Sequence, residues 1–290
     1  MNRHKWIEKG AEAFFFLCAL TAVLSVALIS LFVFANAVPA LREIGLLEFL
    51  TGTRWKPTDV PPSFGILPMI LGSLMVTGGA ILVGVPVGLL TAVFLAYFCP
   101  KPAYRVLKPV TELLAGIPSI VYGFFGVMVL VPLVRDTFSA RFGGEGNSIL
   151  TASLLLGIMI LPSVTGISEA AIRAVPDSYY EGALALGATH ERSVFCAVLP
   201  AAKSGILAAV VLGIGRAIGE TMAVIMVAGN QARMPKGIFK GIRTLTSNIV
   251  MEMGYAADLH REALIATGAV LFFFILLINL AFAVLKKKQK

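Results

Sequence analysis

Five stretches of this chain contain no Asp, Glu, Lys or Arg over lengths that suit a bilayer: Ala13 to Leu41, Val60 to Pro100, Leu113 to Val134, Gly146 to Ser168 and Ala263 to Leu285. A sixth, Ser204 to Ala232, is interrupted only by Arg216 and Glu220. A helix needs about 20 apolar residues to cross a roughly 30 Å hydrocarbon core. The runs are continuously apolar and do not alternate, which selects helices over barrel strands. The expected spans lie near 13–35, 68–98, 111–134, 148–168, 205–228 and 264–285. The composition agrees: 58% of the 290 residues are hydrophobic and 14% charged, against about 45–50% and about 25% in soluble domains. A water-soluble globule of this size could not hide so much apolar surface. The expected fold class is therefore an all-α membrane protein, which excludes cytosolic enzymes, nucleic-acid binders and disordered scaffolds.

The net charge of +8 sits at the chain ends and in loops, where it reports topology. An even number of spans puts both termini on one side. Arg3, Lys5 and Lys9 at one end and Lys286, Lys287, Lys288 and Lys290 at the other assign that side to the cytoplasm. The segment 229–262 then lies outside although it carries Arg233, Lys236, Lys240, Arg243 and Arg261, a charge that calls for an anion or an acidic partner. Ala35-Asn36-Ala37 resembles a signal-peptide cleavage site. The apolar run before it exceeds the roughly 7–15 residues of a signal peptide, so the first span is read as a retained anchor. Residues 36–66 form an external segment in which Pro57, Pro61 and Pro62 disfavour a long helix, with a short surface helix expected at 39–50. The chain divides into 1–66, a transmembrane domain 67–285 and a basic tail 286–290.

Catalytic and metal-binding patterns are missing from the sequence. It has no G-x-x-x-x-G-K-[ST], so no ATP site of its own is expected. His4, His190 and His260 are isolated, and Cys18, Cys99 and Cys196 follow no C-x-x-C spacing. No nucleophile elbow occurs. The reading is a non-enzyme without cofactor or metal, driven by an ion gradient or by another subunit.

Residues 169–204 are patterned differently. Pro176-Asp177 breaks the chain, and Ser178-Tyr179-Tyr180-Glu181 has the S-x-x-E spacing of a capping box. A short helix through Leu186 is expected, ended by Gly187-Ala188-Thr189, with a second from His190 toward Leu199-Pro200. Gly182, Ala183, Ala185 and Gly187 would let another surface approach closely. The loop mixes Glu169, Asp177, Glu181 and Glu191 with Arg173, Arg192 and Lys203, which suits protein docking better than a membrane-surface helix.

Inside the sixth stretch, Arg216 and Glu220 stand four residues apart, one turn apart on one face of a helix. A lone charge at the bilayer centre costs about 2.5–3.5 kcal/mol, so such charges face a partner or a cavity. Two readings follow: a neutralised pair pinning one helix to another, or a solute site. In the second, the arginine fork grips a tetrahedral oxyanion and the carboxylate accepts a hydrogen bond from a protonated phosphate, which sulfate cannot offer. Gly215-x-x-x-Gly219, Gly84-x-x-x-Gly88, Pro86 and Gly116-Ile117-Pro118 suit close packing or bending.

Glu181-Gly182-Ala183, then Gly187, then Leu199-Pro200 resembles the E-A-A-x-x-x-G…I-x-L-P motif of permease subunits of ATP-binding-cassette importers, with Gly182 in place of an Ala and Ala197 in place of Ile. Arg216-Ala217-Ile218-Gly219-Glu220-Thr221-Met222, Gly229-Asn230, Gly116-Ile117-Pro118-Ser119 and Phe64-Gly65-Ile66-Leu67-Pro68 are similar to the phosphate-specific members of that family, in the PstC-type subunit. The resemblance covers the chain from about residue 64 onward. It implies a type I importer bundle of six helices, with a cytoplasmic coupling helix between helices four and five that carries Glu181, Gly182, Ala183 and Gly187. It also implies a substrate pathway at Arg216 and Glu220 in a bacterial cytoplasmic membrane. The implied partners are a second phosphate permease forming a heterodimer, a dimer of cytoplasmic ATP-binding subunits, an external phosphate-binding protein and inorganic phosphate, with no nucleic acid. Permeases for sulfate or molybdate, and a gradient-driven secondary transporter, stand as alternatives; a transporter of that second kind would often show internal repeats and no docking helix.

Overall fold

The computed structural model describes residues 2–139 and 143–287. Among them, six helices are long and apolar enough to cross a membrane: Glu8–Ile44, Leu67–Phe98, Ser119–Phe138, Ile149–Arg173, His190–Gly219 and Asp258–Val284. The expected number holds, and three boundaries move for physical reasons.

The first helix, α1 (Asn2–Ile44), does not stop near residue 35 but continues through Pro39 until Gly45 turns the chain at φ 88°. The expected surface helix at 39–50 is thereby split between the end of α1 and a short α2 (Leu46–Thr51). A two-residue hairpin follows, β1 (Trp55–Lys56) against β2 (Ser63–Phe64), with Trp55 opposite Phe64. It leads into α3 (Leu67–Val93), which has Pro68 in its first turn and is prolonged by a π-helical turn, Phe94–Phe98.

The expected third span, 111–134, is two helices. The first, α4 (Lys101–Gly116), ends at Ile117, whose ψ of 126° is that of a residue pushed out of the helical region by the proline after it. Pro118 then opens α5 (Ser119–Phe125), extended by a π-helical turn and further helix toward Ser139. After α6 (Ile149–Arg173) come two short helices, α7 (Asp177–Ala185) and α8 (His190–Ser193). A π-helical turn, Val194–Val198, joins α8 to α9 (Leu199–Gly219). The fifth span therefore begins at His190, within the loop 169–204, and ends at Gly219, not at residue 228. The chain continues with α10 (Met222–Val227), α11 (Leu245–Glu252) and α12 (Asp258–Lys287).

The bundle is organised around α6. Leu155, Leu156, Met159 and Ile160 are fully buried there. In a bilayer, apolar surface does not drive helices together, so close approach and polar contacts must do so. A Cβ on Gly84 of α3 would stand 2.7 Å from the Gly157 carbonyl oxygen and 2.7 Å from Ile160, and one on Gly88 would meet Val164 at 3.0 Å. The seam is stitched by Ser153 Oγ donating to the Val76 carbonyl at 3.2 Å and Thr165 Oγ1 donating to the Gly88 carbonyl at 3.1 Å. The lipid-facing extreme is α1, which packs against α12 through contacts such as the edge-to-face pair Phe34–Phe272 and leaves Phe14, Phe15 and Leu28 exposed.

At one end of the bundle the hairpin, α2 and α11 close over the start of α12. Phe49, Trp55, Phe64, Ile66 and Leu264 form a core of their own. Within it the buried Glu252 accepts from Trp55 Nε1 at 2.8 Å, from Arg243 Nη1 and from His260 Nε2 at 2.9 Å. Arg243 also donates to the Asn230 carbonyl and to Asn248 Oδ1. One of the basic residues of segment 229–262 is thus matched inside the chain rather than by a partner.

The α3–α6 seam generates a prediction. Gly84→Ala gains about 1 kcal/mol of helix propensity but forces a methyl against the Gly157 backbone, and overpacking of this kind costs about 1–3 kcal/mol. Gly78, which has open space where a Cβ would be, supplies the control. Thermal unfolding in detergent is expected to show Gly84→Ala less stable than the parent and Gly78→Ala at least as stable.

Candidate functional site

Arg216 lies in the last turn of α9. The expectation that Glu220 sits one turn further on the same helix face is corrected: the helix ends at Gly219, and Glu220 is extended, with φ −68° and ψ 132°. Competition for the backbone explains the break. The Glu220 carboxylate Oε1 accepts from the Ala223 amide of α10 at 3.1 Å, and Thr246 Oγ1 of α11 donates to the Glu220 carbonyl at 3.0 Å. Side chains thereby satisfy groups that an unbroken helix would pair internally, and the carboxylate lies where the α10 dipole favours negative charge. Among the described residues no ion pair joins Arg216 to Glu220.

Arg216 instead donates from Nη1 to Ser163 Oγ of α6 at 3.1 Å. A guanidinium carries donors in a fork, and no other side-chain hydrogen bond of Arg216 occurs among the described residues. A neutral hydroxyl does not offset its charge. Among the described residues, the geometry is a half-buried cation with most donors uncommitted in the last turn of α9 and, four residues on and past the helix break, a carboxylate with one oxygen uncommitted. A guanidinium fork is chemically suited to an oxyanion and a free carboxylate oxygen to a hydrogen-bond donor. Sequence reasoning missed Ser163 and Thr246. Ser163 follows Pro162 inside an apolar run, and nothing local marks either residue as a partner to a break in another helix.

The segment expected to dock a partner is corrected at one end and matches the expected secondary structure at the other. Pro176 precedes α7, Asp177 is its first residue, and Ser178 stands inside the helix, so the capping box with Glu181 does not form. Proline already sets the helix start, and Asp177 supplies the favourable charge. Gly187 ends the segment at φ 84°. Its amide donates to the Leu184 carbonyl at 2.8 Å and the Ala188 amide to the Ala183 carbonyl at 3.1 Å, the paired bonds of a Schellman motif. A non-glycine residue in that backbone region costs about 1–2 kcal/mol. Thr189 caps α8 by accepting from the Arg192 amide at 3.3 Å. Glu181, Gly182 and Gly187 are exposed, Ala183 is half-buried, and Leu186 is 91% exposed.

A third cluster was read from sequence only as part of a mixed-charge loop. Glu169, 2% exposed, receives Lys108 Nζ and Arg173 Nε at 2.9 Å each and the Tyr104 hydroxyl at 2.8 Å. Arg173 also donates to the Leu95 carbonyl at 2.8 Å and stands 4.8 Å from the Tyr104 ring centre. The hydrogen bond from Lys108 to Glu169 holds the lysine above its ordinary pKa, so it stays charged. This network is complete and ties α4 and the end of α3 to α6. It is an anchor and not an open site.

Comparison with known proteins places this geometry in a family. Residues 84–290 match the family described as Binding-protein-dependent transport system inner membrane component. The Probable ABC transporter permease protein YqgH of Bacillus subtilis (strain 168) is 40% identical over 270 residues, 90% of this chain and 86% of that one. The Phosphate transport system permease protein PstC of Mesorhizobium japonicum is 36% identical over 261 residues, 84% of this chain and 79% of that one. Among solved structures, the inward-facing MetNI methionine ABC transporter aligns with TM-score 0.62 at 18% identity, covering 78% of this chain and 96% of that one. A bacterial alginate ABC transporter aligns with TM-score 0.59 at 17% identity, covering 91% and 92%; at these identities the likeness concerns the fold. With the family matched over most of its length and six helices in the type I importer arrangement, the chain belongs to the binding-protein-dependent transport system inner membrane components, as a membrane-embedded permease of an ATP-binding-cassette importer.

Proposed function

We propose that this permease moves inorganic phosphate, and that Arg216 and Glu220 read it. The carrying observation is the Arg216 guanidinium, whose one side-chain hydrogen bond among the described residues goes to Ser163 and which forms no ion pair with Glu220 there. PstC relatives at 32–36% identity support the cargo. Arg216 takes two anionic oxygens of phosphate in its fork, exchanging the Ser163 hydroxyl for them. The free oxygen of Glu220 accepts the P–OH hydrogen. A fully ionised sulfate has no such hydrogen and meets only repulsion at that carboxylate, which is the physical basis of selection.

The chain has no ATP site in this reading and works inside an assembly. A second, similar permease completes a heterodimer, and two ATP-binding subunits seat against Glu181, Gly182, Ala183 and Gly187 on α7. A phosphate-binding protein delivers the anion from outside, and both basic termini lie in the cytoplasm. Closure of the ATP-binding subunits moves α7, and the bundle alternates access around Arg216 and Glu220. The chain breaks at Ile117–Pro118 and Glu220–Thr221 are natural hinges for that motion.

Two outcomes are expected in vesicles carrying the whole complex. Arg216→Lys keeps the charge and loses the fork. Phosphate uptake should fall about 10-fold to 100-fold, the range for charge-assisted hydrogen bonds worth about 1.5–3 kcal/mol, while the complex still assembles. Glu220→Gln should reduce the preference for phosphate over sulfate in competition uptake; unchanged rates and preference in both variants would sink the assignment. At the docking surface, a cysteine at Leu184 should cross-link to the ATP-binding subunit, and Gly187→Ala should lower the yield because α7 loses its defined end. Equal yields would argue against docking through this turn.

A further inference from the structure

The helix proposed to dock the ATP-binding subunit touches the rest of the bundle through very little. Of the nine residues of α7, Asp177–Ala185, all are exposed except Tyr180 and Ala183, which are half-buried. Tyr180 makes the only side-chain hydrogen bond from α7 among the described residues: its hydroxyl lies 2.6 Å from Nδ1 of His190, the first residue of α8. The two rings meet edge to face with centres 5.7 Å apart. Both rest on the π-helical end of α3. Tyr97 stands 5.4 Å from Tyr180 and 6.4 Å from His190, and Phe98 meets His190 edge-on at 4.7 Å. Beneath them Val93, Ile172, Val194 and Val198 are buried.

We infer that Tyr180 and His190 form a clamp through which movement of α7 enters the end of α3, so that both are positioning residues for transport. The inference rests on the reading of α7 as the docking helix. With His190 neutral, the Tyr180 hydroxyl donates to Nδ1, and this bond fixes the angle of both rings against Tyr97 and Phe98. A packed aromatic cluster resists deformation, so a displacement of α7 is passed on instead of being absorbed. The receiving element is the right one. The end of α3 is also gripped by Arg173 at the Leu95 carbonyl. Along the Gly84–Gly88 seam α3 then packs on α6, whose Ser163 holds Arg216. A ring cluster that merely filled space would not need a polar bond at its centre.

The clamp is tested in vesicles containing the complete transporter, with ATP hydrolysis and phosphate uptake measured on the same preparation. Tyr180→Phe keeps the ring and removes the donor; His190→Leu removes the acceptor; His190→Asn retains an acceptor near the position of Nδ1. The first two should lower phosphate moved per ATP hydrolysed about fivefold, a factor within reach of one net hydrogen bond, with ATPase rate and subunit association unchanged. His190→Asn should keep most of the coupling. An unchanged ratio in Tyr180→Phe and His190→Leu overturns the clamp, as does an equal loss in all three variants.

A second readout needs no cargo. Spin labels on cysteines introduced at Leu184 of α7 and Leu82 of α3, with the three native cysteines replaced by alanine, report their separation on adding ATP. A separation that stays constant in the parent and changes in Tyr180→Phe supports the clamp even if the transported anion proves not to be phosphate. A separation that changes equally in both overturns it. Failure of the parent chain to hold an ATP-binding subunit would sink the docking reading and the clamp with it.

Discussion

In hydrocarbon there is no water to satisfy a backbone amide or carbonyl, so each must find its partner within the protein. The rest of this structure follows from how that demand is met wherever a helix starts, stops or bends. The start of α6 shows it most fully. Its first amides are taken by carbonyls from elsewhere and by the hydroxyl of its own cap residue: Ser148 by Val227, Ile149 by Lys240, Leu150 by Ile238 and Thr151 by Ser148 Oγ. The segment after α10 is therefore not a slack loop, because its carbonyls cap the central helix of the bundle. The same demand explains why α9 can end inside the bundle at Gly219. Glu220 and Thr246 supply the acceptor and the donor that the broken turn leaves without partners.

Charges obey a stricter version of the rule, and two buried carboxylates meet it where one arginine does not. Glu169 is surrounded by Lys108, Arg173 and Tyr104, and Glu252 by Arg243, His260 and Trp55. Removing one member of a buried pair leaves an uncompensated charge at a cost of about 3–5 kcal/mol, so these two clusters fix how elements meet. Arg216 is the exception. Among the described residues it has the Ser163 hydroxyl and no counter-ion, which is the condition that supports the proposed role in holding an anion.

The six spans were legible because a charge-free run of bilayer length has few other uses. The start of α8 at Thr189 and the glycine turn at Gly187 were legible because their chemistry is local. What escaped was set by residues far away in sequence. The Arg216–Glu220 spacing promised one helix face, and the chain broke between them because Thr246, from a different helix, takes the Glu220 carbonyl. Ser178-x-x-Glu181 promised a capping box, and the box lost because Pro176 had already opened the helix two residues earlier. Glu169 looked like one acid in a mixed loop because its partners Tyr104 and Lys108 lie 65 and 61 residues away. Family resemblance pointed to Arg216 and Glu220 by their types and spacing, and their geometry came from the structure.

That geometry bears on how a docking event can reach the bundle interior. From His190 to Gly219 the chain is helical without interruption, through the π-helical turn Val194–Val198. Arg216 therefore rides on the same rigid element that leaves the docking segment, whereas Glu220 belongs to the backbone beyond the break and is tied to α10 and α11. A tilt of α9 changes the distance between guanidinium and carboxylate, because only one of the two moves with it. On an unbroken helix the two groups would travel together and their spacing could not respond. The break between Arg216 and Glu220 thus turns a fixed spacing into a variable one, and in the proposed mechanism a site whose two halves sit on different elements is made and unmade by the motion that opens and closes the path.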